Sequence, residues 1–245
     1  MEISTKAEPI GHIGEFVVTN TILMSMITVT TLIIFVILLS TKKCDLKSKF
    51  YNFVEMLIEG LMSVIESVTG RCPLAKQVFA VISTFFIFVL FNNWLGLLPG
   101  VGSIGFNEVH EGEEIFVPLF RSANSDLNMT IAIAVISVTF TQVVAIKNVG
   151  VKSYLSKFFN FKSPIMFFVG ILELVAETIK ILSFSFRLFG NVFAGDVLLI
   201  VMFSLVPFIV PIPFMGIEMF AGFIQALIFS VLTLVFTNIA SHAEH

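Results

Sequence analysis

Charge is scarce in this sequence: 14 Lys and Arg and 17 Asp and Glu stand among 245 residues, 13% in all, where a soluble domain carries about 25%. A net charge of −3 offers no basic surface to nucleic acid and implies no strongly charged partner. The two cysteines, Cys44 and Cys72, lie in or beside one predicted loop and match no metal spacing, so both are read as reduced structural thiols. Internal repeats, low-complexity tracts and a phosphate-binding glycine loop are missing. The first twenty residues, with Glu2, Glu8 and Glu15 against Lys6, lack the basic start of a secretory signal. His12, His110, His242 and His245 fall outside the predicted spans and are given no role, and Asn128-Met129-Thr130 opens an apolar segment, so its glycosylation pattern is read as chance.

What is abundant is apolar surface. Hydrophobic residues make up 57% of the chain, with 29 Phe, and the mean hydropathy is +1.00. These values describe an integral membrane protein. The hydrophobic runs predict an all-α polytopic fold in one membrane domain, with five spans at about 18–40, 78–98, 127–146, 165–203 and 212–240. Segment 50–68 is apolar but carries Glu55, Glu59 and Glu66, which fits an interfacial or half-buried helix. Residues 1–17 form an outer amino-terminal segment, 18–146 the peripheral spans, and 165–240 a hairpin.

Loop charge sets the expected orientation. Lys42, Lys43, Lys47, Lys49, Arg71 and Lys76 follow the first span, and Lys147, Lys152, Lys157 and Lys162 follow the third. The opposite side has Lys6 and Arg121 beside the acidic Glu108, Glu111, Glu113 and Glu114. The positive-inside rule then places the amino terminus outside and the carboxyl terminus inside.

The fourth span is too long. Thirty-nine or so helical residues reach roughly 58 Å, against a hydrocarbon core of about 30 Å, so the helix must break or incline steeply. Val206-Pro207-Phe208-Ile209-Val210-Pro211-Ile212-Pro213 ends it, and the last span returns as the second arm of a long, steeply tilted hairpin.

Inside that span the polar residues are ordered. Glu173, Glu177, Lys180, Arg187 and Asn191 follow steps of four, three, seven and four and share one stripe, with Ser183 one turn before Arg187. Asp196 sits about half a turn away from Arg187 on a straight helix, unless Gly190 and Gly195 bend it. In the last span Glu218, Gly222, Gln225 and Phe229 share a face. Bland readings exist: Glu173 and Lys180 as a buried pair, Asn191 and Gln225 as interhelical hydrogen bonds. Arg187 is harder to explain structurally, because a guanidinium stays protonated and costs roughly 2.5–3.5 kcal/mol at mid-membrane. Together with Asp196 and Glu218 it points to an ion route. A secondary transporter would also place charges there, though usually in repeated halves. A purely structural membrane protein would tolerate apolar replacements on the stripe.

The run Arg187-Leu188-Phe189-Gly190-Asn191-Val192-Phe193-Ala194-Gly195 closely resembles the signature of subunit a of F-type ATP synthases. Asn92-Asn93-Trp94-Leu95-Gly96-Leu97-Leu98-Pro99-Gly100, Ser122-Ala123-Asn124-Ser125-Asp126-Leu127-Asn128-Met129-Thr130 and Gln225-Ala226-Leu227-Ile228-Phe229-Ser230-Val231-Leu232-Thr233 resemble further stretches of that family in the same order, so the likeness covers nearly the whole chain. The resemblance implies a proton-channel stator without catalytic role or cofactor, working against a ring of c subunits, with the peripheral-stalk b subunits and the rest of the complex as partners. Arg187 would be the essential arginine, and Asn191, Asp196, Glu218 and Gln225 would line or flank two aqueous half-channels. Glu173 and Lys180 fall at positions that are polar in relatives, with Glu177 and Ser183 in support. Many relatives carry a histidine where this chain has Asp196 or Glu218. Two carboxylates close together do not both ionise easily, so one of them would hold a proton as a transfer station. A bacterial plasma membrane is expected, with an organelle inner membrane as the alternative; the choice of proton over sodium rests with the ring.

Overall fold

The computed structural model describes residues 8–14, 16–41, 49–70, 73–98, 101, 104–110, 113–158, 163–206 and 209–241. Among these residues seven α-helices follow in chain order: α1 (Asn20–Thr41), α2 (Lys49–Thr69), α3 (Pro73–Gly96), α4 (Leu127–Val149), α5 (Val151–Phe158), α6 (Pro164–Leu205) and α7 (Pro211–Ser241). Five of them, α1, α3, α4, α6 and α7, are long and apolar enough to cross a membrane, as the hydrophobic runs predict. Both cysteines and the basic residues Lys42, Lys43, Lys47, Arg71 and Lys162 lie outside the described residues, as do His242 and His245.

The structure adds elements that the hydropathy pattern does not show. Two antiparallel hairpins stand outside the helices, β1 (Pro9–Ile13) with β2 (Phe16–Thr19) and β3 (Gly105–His110) with β4 (Glu113–Pro118). A short 3-10 turn, Ala123–Ser125, leads into α4. The small helix α5 follows α4 directly, across Gly150, whose φ of 89° is a backbone conformation that glycine adopts without strain.

Helix ends carry their own signals. The Asp126 side chain accepts from the Asn128 amide at 3.0 Å and caps α4. Ser163 accepts from the Ile165 amide at 3.3 Å and caps α6, with Pro164 at the first helical position. From there α6 runs 42 residues without interruption, roughly 63 Å at the helical rise. The excess length is therefore not relieved by a break in the helix.

The core sits where α3, α4, α6 and α7 meet. Phe85, Phe86 and Val89 of α3 pack with Ile133 of α4, Phe184 and Leu188 of α6, and Phe229 of α7. Phe184 and Phe229 place their ring centroids 5.2 Å apart. Hydroxyl pairs join the same helices: Ser137 with Thr233 at 2.8 Å, Thr141 with Thr237 at 3.1 Å, and Thr130 with Ser185 at 3.1 Å. Each contributes about 0.6 kcal/mol in a lipid environment, so packing carries more than the hydrogen bonds do.

The outer faces are apolar. On α6, Ile165, Phe168, Val169, Leu172, Ile179 and Phe186 are all exposed, as a surface against hydrocarbon should be. Helix α2 buries Ile65 against Leu74 and Val78 of α3 and Leu234 of α7, while Glu55, Glu59, Met56 and Ile58 stay exposed. One buried edge on an otherwise open, mixed surface fits the interfacial reading.

Candidate functional site

Two polar clusters lie along α6, separated by the exposed Arg187. The first surrounds a cavity of about 10 Å³, close to the least space that holds one water. Helix α3 lends Asn93 and Gly96 to its wall, Leu97 follows them, and Ser122 enters from just before the 3-10 turn. The hairpin supplies Asn191, Val192 and Asp196 from α6 and Glu218 and Gly222 from α7. Asn191, Asp196 and Glu218, which the sequence separates by up to 27 positions, are thus brought together. Asp196 and Glu218 face the same cavity from the two arms of the hairpin.

Small residues make this meeting possible. A β-carbon at Gly195 would fall on the Glu218 carboxyl group, and one at Gly222 would come within 3.0 Å of the Asn93 β-carbon. A β-carbon at Gly96 would lie 2.6 Å from that of Ser122. Here the three glycines are required for close approach and not for backbone freedom.

Asn93 then locks the geometry. Its Nδ2 donates to the Gly222 carbonyl at 3.0 Å, and its Oδ1 accepts from Asn124 Nδ2 at 2.7 Å, all buried. Beside it, Trp94 Nε1 donates to the Met219 carbonyl at 3.1 Å. These bonds tie α3 to α7 at Met219 and Gly222, within the turn that follows Glu218.

Asp196 continues the buried stripe of Ser185, Leu188, Val192 and Leu199 and points inward, while Arg187 lies exposed on the other side of the helix. This matches the half-turn offset of a straight helix, so no bend at Gly190 or Gly195 is needed. Among the described residues, no carboxylate forms an ion pair with Arg187. Gln225 is buried one face along from the cavity, with its Nε2 lacking a hydrogen-bond partner. Neither Arg187 nor Gln225 lines the cavity. Ser183 is exposed.

The second cluster lies toward the amino-terminal half of α6. Lys157 Nζ of α5 sits 2.6 Å from Glu173 Oε1, and Lys180 Nζ sits 2.7 Å from Glu177 Oε1. Gln142 of α4 donates to Glu177 Oε2 at 2.8 Å, and Lys180 Nζ also lies 4.7 Å from the Phe236 ring centroid. Glu173 and Lys180 therefore each have a different partner and do not form the two-turn pair that their spacing permits. Tyr154 of α5 is buried nearby, and burial, followed by the charges of Glu177 and Glu173, pushes its phenol up to about 12.

Sequence reasoning missed Lys157, Gln142 and Tyr154 here, since partners on other helices leave no periodic trace. It placed Arg121 merely among outer loop charges, whereas its Nε donates to the buried Ser125 hydroxyl at 3.1 Å. Asn93 was visible only as part of the Asn92-Asn93-Trp94 stretch.

A profile of the family described as ATP synthase A chain matches residues 22–238. The chain is 35% identical to ATP synthase subunit a of Syntrophobacter fumaroxidans over 79% of its own length and 72% of that protein's. It is 32% identical to ATP synthase subunit a of Geotalea daltonii, covering 85% and 82%, and 27% identical to that of Trichlorobacter lovleyi, covering 99% and 96%. By these matches this five-span membrane chain belongs to the ATP synthase A chain family, the proton-translocating stator subunit of F-type ATP synthase.

Proposed function

We propose that Arg187 is the fixed cation of this stator, facing a ring of c subunits that each carry one ion-binding carboxylate. Asn191, Asp196, Glu218 and Gln225 line or flank the half-channels by which protons reach and leave that ring. The observation that carries this reading is the setting of Arg187: exposed on an apolar helix, unpaired with any carboxylate among the described residues, one turn from a cavity-lining Asn191. A guanidinium left facing hydrocarbon is costly. A carboxylate on a neighbouring protein removes that cost.

The chemistry follows from a fixed charge beside moving ones. A proton enters from outside through the Asn191–Asp196–Glu218 cavity and neutralises a ring carboxylate, which then turns into lipid. After nearly a full rotation the carboxylate meets Arg187, whose opposite charge favours its ionised form and expels the proton to the inner side. Glu173, Glu177, Lys180 and Ser183 flank that inner route. A cation between the two half-channels also interrupts any direct proton wire. Each charge crossing contributes about 2.3 kcal/mol per 100 mV, and rotation passes this to nucleotide chemistry performed elsewhere in the complex.

In this assignment residues 18–146 are peripheral, 165–240 form the ion-translocating hairpin, and peripheral-stalk b subunits hold the chain against the ring. The basic residues of the loops after the first and third spans support a cytoplasmic carboxyl terminus, with residues 1–17 outside. Bacterial relatives support a plasma membrane. ATP-driven acidification of inverted vesicles tests the reading: Arg187→Ala in an assembled complex abolishes pumping, and retained pumping overturns it.

A further inference from the structure

We propose that Arg121 is a positioning residue for ion transfer: from the connection between α3 and α4 it reaches, through Ser125, the carboxyl group of Asp196. The inference rests on the reading of Asp196 as a station on the outer route.

The geometry is a short relay. Arg121 Nε donates to Ser125 Oγ at 3.1 Å, and Ser125 Oγ donates to the Ser122 carbonyl at 2.8 Å. Ser125 is fully buried, and Ser122 belongs to the cavity wall. The Ser125 hydroxyl hydrogen-bonds the Asp196 side chain, and the Arg121 guanidinium acts on it as an opposite charge.

A hydroxyl has one proton and two lone pairs. With its proton on the Ser122 carbonyl, Ser125 turns a lone pair toward a protonated Asp196. When Asp196 is ionised, the hydroxyl proton swings to the carboxylate instead. Arg121 holds the oxygen in place in both states, and its charge cannot be lost by deprotonation. The two states of Asp196 thus meet one preset partner, and no side chain has to be recruited between them.

Arg121 acts on Asp196 as an opposite charge, and the Glu218 carboxylate shares the cavity with it from across the hairpin. Helix α3 adds Asn93 and Gly96 to the cavity wall, followed by Leu97, all uncharged. Asp126, the residue after Ser125, turns its carboxylate away, to the Thr21 hydroxyl at 3.1 Å and the Asn128 amide at 3.0 Å.

The test uses the intact complex in liposomes, with ATP synthesis driven by a fixed potassium diffusion potential at varied lumenal pH. Arg121→Gln moves the lumenal-pH midpoint alkaline by about one unit, because a cation no longer favours the ionised carboxylate. Arg121→Lys restores part of the shift, and in an Asp196→Asn background Arg121→Gln moves nothing further. Infrared titration supplies a readout that needs no turnover: the protonated-carboxyl band lost in Asp196→Asn disappears at higher pH in Arg121→Gln. If Arg121→Gln fails to assemble, the same measurements on Arg121→Lys and Ser125→Ala decide the matter. A band and profile unmoved in assembled Arg121 variants, or an equal shift in the Asp196→Asn background, overturn the proposal. A wild-type pH profile in Asp196→Asn alone overturns instead the assignment of Asp196 on which it rests.

Discussion

The Glu218 carboxyl group of α7 occupies the space that a β-carbon on Gly195 of α6 would fill. The glycine and the carboxylate are one structural unit, although 23 positions separate them in sequence. Gly195→Ala must push Glu218 out of the cavity, and displacement by about 1 Å is enough to lower a transfer rate on the order of 100-fold. Proton pumping by the assembled complex measures this. Shortening the displaced residue, in Gly195→Ala with Glu218→Asp, recovers part of the rate; a double variant no better than the single one contradicts the steric cause.

Arg187→Lys keeps the charge but loses the planar fork, so it restores little coupled synthesis over Arg187→Ala. Asn191→Ala and Gln225→Ala are milder, since each removes hydrogen bonds and no fixed charge. ATP synthesis rates in the four variants, normalised to assembled complex, give the order.

Asn93→Ala leaves the buried Asn124 Nδ2 without its 2.7 Å acceptor and releases α3 from the Gly222 carbonyl. An unsatisfied buried donor costs about 1–3 kcal/mol. The variant complex should lose this subunit at lower temperature than wild type, as read by thermal dissociation in detergent. Trp94→Phe, which removes one bond at the cavity's edge, has a smaller effect.

Tyr154 titrates late, at about pH 12 rather than the usual 10. The folded state therefore binds the phenolic proton more tightly than the unfolded chain does. Its contribution to stability is complete below about pH 10 and is lost as pH rises from there through 12. Tyrosinate absorbance of wild type should show a step near pH 12 that is missing in Tyr154→Phe. In Gly170→Ala the added carbon would strike the Phe158 carbonyl, lifting α5 from α6, and the same step should move toward pH 10.

Much of this protein is written in its order of residues. Five apolar runs set five spans within a few residues, because a membrane core accepts little but helices with satisfied backbones. Proline at 211 and the Ser163-Pro164 cap fixed the arms of the hairpin, since both act locally. The stripe through Arg187 was legible because helical spacing converts directly into a face.

What the sequence left open was decided between elements. Glu173 and Lys180 could pair by spacing, yet each found a partner that periodicity does not encode, Lys157 for one and Glu177 for the other. The hairpins at 9–19 and 105–118 left no hydropathy signal. Asp196 and Glu218 share a cavity only because Gly96, Gly195 and Gly222 let three helices and a turn close on one point, with Asn93 holding them there. Local chemistry chose the helices and the face that each presents. Contacts between residues distant in sequence chose which polar groups meet, and so where a proton can pause.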